Sequence, residues 1–224
     1  MTNITYHPSD ELLRSHANGE LPESLSVAVS LHCELCSECK NKVEAISQEL
    51  AKMTWQSNSQ TMCTESNEPT VDYTTMLESI MQLDTDDSYL MSTPTYHVSI
   101  ADKTFEVPYL LHRYDDLKWN QLGAVSRARL IEEQDTRSNL LHIAAGGEIP
   151  NHTHKGFELT LLLDGSFQDE SGHYQKGDFI WLDASHEHSP KTTEGCLCYT
   201  VQNAPLHFTK GLSKLFNPIG GLLY

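Results

Sequence analysis

A histidine and two cysteines at close, helix-compatible spacing constrain the fold of this chain more than any other feature. His32, Cys36 and Cys39 follow the pattern His-x3-Cys-x2-Cys, and residues three or four apart lie on the same face of an α-helix. Imidazole and thiolate groups are the ligands of structural zinc sites, which are tetrahedral and take four of them. The pattern therefore predicts a zinc site on helices, with a fourth ligand elsewhere in the chain.

The fourth predicted ligand is His7, which precedes the first predicted helix and would staple that helix to the next two. His16, on the same early helix, is the alternative fourth ligand. Cys33 is a competing thiolate, because Cys33, Cys36 and Cys39 are also evenly spaced. On a helix, however, residue 33 points about 100° away from residue 32. The spacing therefore favours His32 with Cys36 and Cys39 and leaves these two alternatives open.

The first ninety residues are predicted to be helical. Apolar residues recur at three- or four-residue steps from Pro22 to about Leu35 and again from Ser37 to about Met53. A shorter helix is predicted after Pro8, which suits a first helical turn, up to Gly19, which suits a helix end. Residues 55–70 are polar and without periodicity, which predicts a loop, and one more short helix is predicted over residues 73–83.

Acidic residues are concentrated in the same part of the chain. Residues 1–90 hold 15 Asp and Glu against 4 Lys and Arg, a net charge of −11 out of −16 for the whole chain. Such a charge disfavours direct nucleic-acid binding and suits a basic protein partner, although solubility alone would also account for it. There is no apolar run long enough for a membrane span and no signal-peptide pattern at the N-terminus, so we expect a cytoplasmic protein with reduced cysteines.

Beyond residue 90 the sequence changes to short β-rich runs separated by Gly, Asp, Asn and Pro. The predicted fold class is α + β with two domains: a small zinc-stapled N-terminal helical bundle, then an all-β barrel or sandwich. The predicted domains are residues 1–90, with a linker, and residues 91–224, with a C-terminal tail.

A second set of metal-ligand residues lies in the predicted barrel. His152 and His154 alternate along an extended segment, Glu158 follows, and His188 comes thirty residues later. Three imidazoles and a carboxylate suit Zn²⁺ or another divalent metal, and this spacing is that of a cupin site. The predicted all-β domain is therefore a cupin barrel, also called a double-stranded β-helix or jelly roll. His186 is the alternative to His188, because residues two apart in a strand share a face.

Two further cysteines, Cys196 and Cys198, also alternate along a predicted strand. They would be redox-active if exposed and inert if buried.

The segments HPSDELLRSHANGEL, residues 7–21, and LHCELCSECK, residues 31–40, resemble the ChrR-type zinc-binding anti-sigma factors, as does the later HTHKGFE segment. The resemblance implies His7, His32, Cys36 and Cys39 as zinc ligands and His152, His154, Glu158 and His188 as cupin ligands. It also implies a non-enzymatic regulator of transcription. The helical domain would bind an extracytoplasmic-function sigma factor, and the cupin would be needed to release that factor under singlet oxygen.

The alternative function is a cupin metalloenzyme, such as a metal-dependent dioxygenase, with an accessory zinc domain. An open coordination position at the cupin metal would permit such chemistry. The N-terminal His/Cys pattern argues for the regulator, because a cupin enzyme does not need an acidic zinc-binding helical domain.

Overall fold

The computed structural model describes residues 4–58, 73–83, 95–114 and 116–209. The helices predicted from the sequence are present: α1 (Asp10–Ala17), α2 (Glu23–Leu35), α3 (Ser37–Asn58) and α4 (Thr74–Met81). One prediction at the end of α3 is wrong, because residues 55–58 continue the helix instead of starting a loop. The backbone of residues 55–58 stays helical because the polar residues in this stretch lower helix propensity only slightly. Residues 59–70 of the predicted loop lie outside the described residues.

Strands occupy most of the described residues from 96 onward. In chain order they are β1 (Tyr96–Ile100), β2 (Lys103–Val107), β3 (Trp119–Leu122), β4 (Val125–Glu132), β5 (Arg137–Ile143), β6 (His152–His154), β7 (Glu158–Gln168), β8 (His173–Gln175), β9 (Phe179–Leu182), β10 (Cys196–Gln202) and β11 (Leu206–Phe208). The largest sheet has the order β3-β4-β5-β10-β7-β8, with β9 also paired to β7. Strands β1 and β2 form a hairpin, and β11 pairs with β6; all of these pairings are antiparallel.

The central strand of this sheet, β10, is buried along its whole length. It is covered on both faces. Leu197, Tyr199 and Val201 belong to a core that includes residues of α1 and α2, whereas Cys196 and Cys198 belong to a second core on the other face. Helices on one side and the barrel interior on the other explain why β10 lacks the alternation of a half-buried strand.

A carboxylate of the β4–β5 turn fixes helix α2 on this sheet. The helix has no side-chain cap of its own, since Pro22 precedes it. Instead Glu133 accepts hydrogen bonds from the backbone N–H groups of Glu23 and Ser24, at 2.9 and 3.0 Å, and from the Ser24 hydroxyl at 2.7 Å. The Tyr199 hydroxyl donates to the Ser24 carbonyl at 2.9 Å. The barrel therefore provides the N-terminal cap that helix α2 lacks.

The end of α2 makes the reverse contact. Glu34 accepts hydrogen bonds from the backbone N–H groups of Tyr109 and Leu110, at 2.9 and 3.3 Å. These residues begin a short 3-10 helix, Tyr109–Arg113. Each of the two elements thus receives a carboxylate at its N-terminus from the other part of the chain, which suits the helix dipole.

Residues 1–47 and 95–224 form one compact unit, and residues 48–94 form a second one. The second unit contains the end of α3 and all of α4. The predicted domain boundary near residue 90 lies outside the described residues and stays a prediction. The predicted order, N-terminal helices followed by an all-β domain, is confirmed. None of the described helices is long and apolar enough to cross a membrane.

Candidate metal centres

The N-terminal cluster joins the segment before α1 to the α2–α3 junction. Potential ligand atoms of His7, His32, Cys36 and Cys39 all lie within 4.8 Å of one another. His7 Nδ1 is 3.5 Å from Cys36 Sγ and 3.4 Å from Cys39 Sγ. Cys36 ends α2 and Cys39 lies in the first turn of α3, so the bend between the two helices brings both thiols to one point.

The cupin barrel orients one ligand of this cluster. His32 is fully buried, and its Nδ1–H donates to the carbonyl oxygen of Gly177 at 2.9 Å. Its Nε2 is buried and has no hydrogen-bond partner in the described structure. Burial lowers the pKa of His32 to about 4, so the ring is neutral at pH 7. Metal-ligating histidines have this arrangement: the ring is neutral, one nitrogen donates a hydrogen bond to a carbonyl oxygen, and the other nitrogen is available to the metal.

Neither alternative ligand belongs to this cluster. The His16 Nδ1 lies 3.1 Å from the Ser26 hydroxyl, and Cys33 lies outside the group of converging ligand atoms. Burial, followed by the neighbouring Cys36, raises the pKa of the Cys33 thiol to about 11. Burial and Cys36 likewise raise the pKa of Cys39 to about 12. The Cys39 thiol would therefore need a cation beside it to ionise at neutral pH, and a bound metal supplies one.

The second cluster lies inside the barrel, where β6, β7 and the segment before β10 meet. Ligand atoms of His152, His154, Glu158 and His188 lie within 4.8 Å of one another, and all four residues are buried. The Nε2 atoms of His152 and His188 face each other at 2.9 Å, and His154 Nε2 lies 2.9 Å from Glu158 Oε2. His152 and His188 form an isolated antiparallel β-bridge, with reciprocal backbone hydrogen bonds of 3.1 Å. This backbone pairing fixes the separation of their side chains.

Outer contacts fix the orientation of three of these ligands. His152 Nδ1–H donates to the carbonyl oxygen of Pro150 at 2.9 Å, and His188 Nδ1–H donates to Asp169 Oδ2 at 3.2 Å. The Gln202 side-chain amide donates to Glu158 Oε1 at 2.7 Å. The remaining nitrogen or oxygen of each ligand is directed to the common centre, as in protein metal sites. Both clusters are therefore capable of holding a metal ion.

Charges within the barrel cluster are strongly coupled. Burial, and then the charge of His188, lower the pKa of His152 to about 4. Burial also disfavours the charged form of His188, but the carboxylates of Asp169 and Glu158 outweigh it and raise the pKa of His188 to about 9. Burial alone would raise the pKa of Glu158, yet His154 and His188 bring it well below its ordinary value. The cluster therefore keeps an ionised carboxylate in the barrel interior, which a divalent cation would neutralise.

Two sequence alternatives in the barrel are resolved by burial. His186 is exposed and its Nδ1 lies 2.9 Å from Asp183 Oδ1, so it is His188 that joins the cluster. Cys196 and Cys198 are both fully enclosed in the barrel core. A hydrogen bond with Cys196, together with burial, raises the pKa of the Cys198 thiol well above its ordinary value. These properties are those of inert, buried thiols.

A series of contacts connects the two clusters. Asp169, which holds His188, also interacts with Tyr174, and burial together with the Asp169 charge raises the pKa of that tyrosine to about 12. The ring of Tyr174 packs against the ring of Tyr6 with a centroid separation of 5.0 Å. Tyr6 immediately precedes His7 of the N-terminal cluster.

Comparisons with known proteins show the family of this chain. Residues 109–206 match the family model described as the ChrR Cupin-like domain. The anti-sigma-E factor ChrR of Cereibacter sphaeroides is 31% identical over 218 residues, which cover 96% of this chain and 97% of that protein. The chain belongs to the ChrR family of anti-sigma factors. The crystal structure of Rhodobacter sphaeroides SigE in complex with the anti-sigma ChrR is also similar, with a TM-score of 0.61, 29% identity, and coverage of 89% of this chain and 99% of that one.

Membership in the ChrR family favours a regulator over the alternative of a metal-dependent dioxygenase, because this full-length relative is an anti-sigma factor.

The structure also shows positions that sequence reasoning missed. Gly177, Asp178 and Glu133 hold the N-terminal segment and α2 on the barrel, and Gln202 holds Glu158. The partners of Gly177 and Asp178 lie more than 140 residues away in the chain, so no local sequence signal indicates them.

The glycine at position 177 has a steric reason. Its φ is +95°, a conformation that disfavours any other residue, and an added Cβ would lie 2.5 Å from Ile4 Cδ1. Asp178 next to it accepts hydrogen bonds from the backbone N–H groups of Thr5 and Tyr6, at 2.8 and 3.0 Å. The segment before His7 therefore lies directly on this turn of the barrel.

Proposed function

We propose that this ChrR family member binds an extracytoplasmic-function sigma factor through its N-terminal part, keeps it from core RNA polymerase, and releases it in response to singlet oxygen. The protein would act in the cytoplasm, where the polymerase is. The observation that carries the proposal is the match to the anti-sigma-E factor ChrR over nearly the full length of both chains. One solved structure similar to this chain is that of SigE in complex with the anti-sigma ChrR.

The N-terminal ligands in this proposal are His7, His32, Cys36 and Cys39, and the metal is Zn²⁺. The converging ligand atoms are two nitrogens and two sulfurs, which are the ligands of a closed tetrahedral zinc site. Magnesium and calcium prefer oxygen ligands. Bound zinc would supply a structural cross-link and no catalysis, because no coordination position stays open. The four residues would fix the segment before α1 to the α2–α3 bend. The ligands for Zn²⁺ or another divalent metal in the barrel would be His152, His154, Glu158 and His188.

The surface proposed to contact the sigma factor lies on α4. On this eight-residue helix Met76, Leu77, Ile80 and Met81 are each more than half exposed, and no residue is buried. A group of exposed apolar side chains of this size indicates a protein interface, because the exposure of apolar surface to water is unfavourable unless a partner covers it. The acidic excess of residues 1–90 would help to attract the basic DNA-binding surface of a sigma factor.

Release is proposed to begin at the barrel, because the barrel holds residues of the N-terminal cluster directly. Gly177 holds His32, and the contacts through Asp169, Tyr174 and Tyr6 lead from the barrel ligand His188 to the residue before His7. Oxidation of side chains near the barrel cluster would loosen these contacts. The N-terminal helices would then lose the arrangement that binds sigma.

Co-expression tests this proposal. The full chain would be expressed with each extracytoplasmic-function sigma factor of the same genome, and the complexes would be co-purified and assayed for zinc. A stoichiometric complex with at least one of them, sensitive to photosensitised singlet oxygen, would support it. Stable chain with bound metal and no sigma partner would contradict it and favour the metalloenzyme.

A further inference from the structure

Strand β9 contacts both metal-ligand clusters. Its last residue, Leu182, pairs with the barrel ligand Glu158 across the sheet. Its first residue, Phe179, is buried and donates its backbone N–H to the carbonyl oxygen of Tyr6 at 2.9 Å. The Phe179 ring also packs edge-on against the ring of His32, with a centroid separation of 5.6 Å. A change in this four-residue strand would therefore reach both clusters.

The turn just before β9 makes further contacts with the N-terminal part of the chain. Gly177 accepts the hydrogen bond of the His32 ring. Asp178 accepts those of the Thr5 and Tyr6 backbone N–H groups. Hydrogen bonds weaken steeply when donor and acceptor are misaligned, so these contacts depend on the position of β9. Residues 177–179 thus hold the segment before α1 and one ligand of the N-terminal cluster.

One residue of β9 faces the solvent. Trp181 is 44% exposed, whereas the other three residues of the strand are buried. Its side chain lines an open groove of about 520 Å³, and residues of the N-terminal segment and α1, among them His7 and Leu12, line the same groove. A small molecule dissolved in water can therefore reach the indole without any opening of the fold.

The exposed indole also packs against the strand that carries a barrel ligand. Trp181 stacks on the ring of Phe157 with a centroid separation of 4.5 Å and an interplanar angle of 15°. Phe157 immediately precedes Glu158, and the backbone of Trp181 pairs with Leu159. Stacked aromatic rings stabilise each other beyond the apolar area that they bury. The indole therefore helps to fix β9 against the start of β7.

Indole is one of the side chains that singlet oxygen oxidises, together with imidazole, thiol and thioether groups. The oxygen molecule adds across the carbon–carbon double bond of the five-membered ring to form a dioxetane. Cleavage of the O–O bond and of that carbon–carbon bond then gives two carbonyl groups, and the product is N-formylkynurenine. The two ring carbons are oxidised, the oxygen is reduced, and every atom is kept. The reaction therefore needs no reductant and no second oxidant.

Other oxidisable side chains of the barrel are protected by burial. Cys196, Cys198 and Tyr174 are at most 3% exposed, and the histidines of the barrel cluster are buried as well. Trp55 is 77% exposed, but it lies on α3 in the second compact unit. Trp181 thus combines solvent exposure with a position on the strand that contacts both clusters.

We propose that Trp181 is a site of modification by singlet oxygen, and that its conversion to N-formylkynurenine releases the N-terminal segment from the barrel. The inference rests on the proposed function, because it names the side chain whose oxidation begins the release.

The product no longer fits the stack. Ring opening replaces a flat apolar bicycle with a single ring that carries a ketone and a formamide. These polar groups need hydrogen-bond partners, which the ring of Phe157 does not offer. With Glu158 held in the metal-ligand cluster, β7 stays in place, so it is β9 that moves. Residues 177–179 then lose their contacts with the segment before α1.

The first measurement uses the full-length, zinc-loaded chain without sigma, illuminated with a photosensitiser. Peptide mass spectrometry is expected to show the gain of two oxygen atoms at Trp181. Hydrogen exchange is expected to become faster at the backbone N–H groups of Thr5 and Tyr6, because their hydrogen bonds to the barrel are lost. Trp181→Phe keeps an aromatic ring but does not react, so exchange at these groups should stay slow. Trp55→Phe is the matched control, because it removes the more exposed indole and should respond like the wild type.

The second measurement follows dissociation of the complex with sigma under the same illumination. The wild-type and Trp55→Phe complexes are expected to dissociate, and the Trp181→Phe complex is expected to stay intact. The inference is overturned if Trp181 stays unmodified while Trp55 is oxidised, if its oxidation leaves the exchange at Thr5 and Tyr6 unchanged, or if Trp181→Phe responds like the wild type. A wild-type complex that does not dissociate would count only against the proposed function, because exchange in the free chain still decides the role of Trp181.

Discussion

Removal of the Glu133 side chain tests how much the contacts between the barrel and helix α2 contribute to the free energy of unfolding. The carboxylate accepts four hydrogen bonds: from two backbone N–H groups at the start of α2, from the Ser24 hydroxyl, and from the Thr136 hydroxyl at 2.9 Å. Losing a helix cap costs about 1 kcal/mol and up to about 2. The hydroxyls of Ser24 and Thr136 also lie 2.7 Å apart, so they could still hydrogen-bond to each other without Glu133. Loss of their bonds to the carboxylate should therefore add only about 1 kcal/mol to the cost of losing the cap.

Glu133→Ala should therefore lower the free energy of unfolding by about 2 to 3 kcal/mol, and the melting temperature by about 4 to 12 °C for a unit of this size. Urea titration followed by circular dichroism measures the first quantity and calorimetry the second. Glu132→Ala is the matched control, because the exposed Glu132 makes only ion pairs near the surface, and such pairs contribute at most about 1 kcal/mol. Equal destabilisation by the two substitutions would refute the capping role of Glu133.

The same contact predicts a pH dependence. Burial disfavours the charged carboxylate of Glu133, but its hydrogen bonds with Ser24, Glu23 and Thr136 outweigh burial and hold its pKa below the ordinary 4.5. A carboxylate with a lowered folded pKa stabilises the protein above its unfolded pKa, and this contribution is lost as pH falls through the folded value. The stability difference between wild type and Glu133→Gln should be full at pH 7 and should narrow below about pH 4.5. A difference that stays constant to pH 3 would contradict this.

Three further predictions concern the proposed function. Cys36→Ser should lose the N-terminal zinc and sigma binding together, measured by metal analysis and co-purification; sigma binding by a metal-free variant would disprove the link. His154→Ala or Glu158→Gln should lose the barrel metal and keep sigma binding, but the complex should no longer dissociate under photosensitised singlet oxygen. Leu77→Asp on the exposed face of α4 should weaken sigma binding at least tenfold without changing the melting temperature, whereas the neighbouring Glu78→Gln should leave both unchanged.

Part of each metal-ligand cluster could be predicted because local spacing encodes it. His32, Cys36 and Cys39 are separated by helical steps, and His152 and His154 by one strand repeat. The structure brings together the four residues predicted for each cluster. That they ligate metals stays a prediction.

The contacts that hold the helices on the barrel could not be predicted from spacing. Glu133 caps a helix 109 residues earlier in the chain, and His32 donates to a carbonyl 145 residues later. No sequence pattern predicts which distant residue will hydrogen-bond to a given backbone carbonyl or turn carboxylate. The full burial of β10 likewise depends on helices from the other end of the chain, so its sequence lacks the alternation that would indicate which face is inside.

In vitro transcription tests the central claim most directly. Core RNA polymerase and a co-purifying extracytoplasmic-function sigma factor would transcribe a sigma-dependent promoter in the presence of increasing amounts of this protein. The account predicts that transcription stops at about one zinc-loaded molecule per sigma, and that the Cys39→Ser protein has no effect at the same concentration. Undiminished transcription with the zinc-loaded protein, or equal inhibition by Cys39→Ser, would contradict the account.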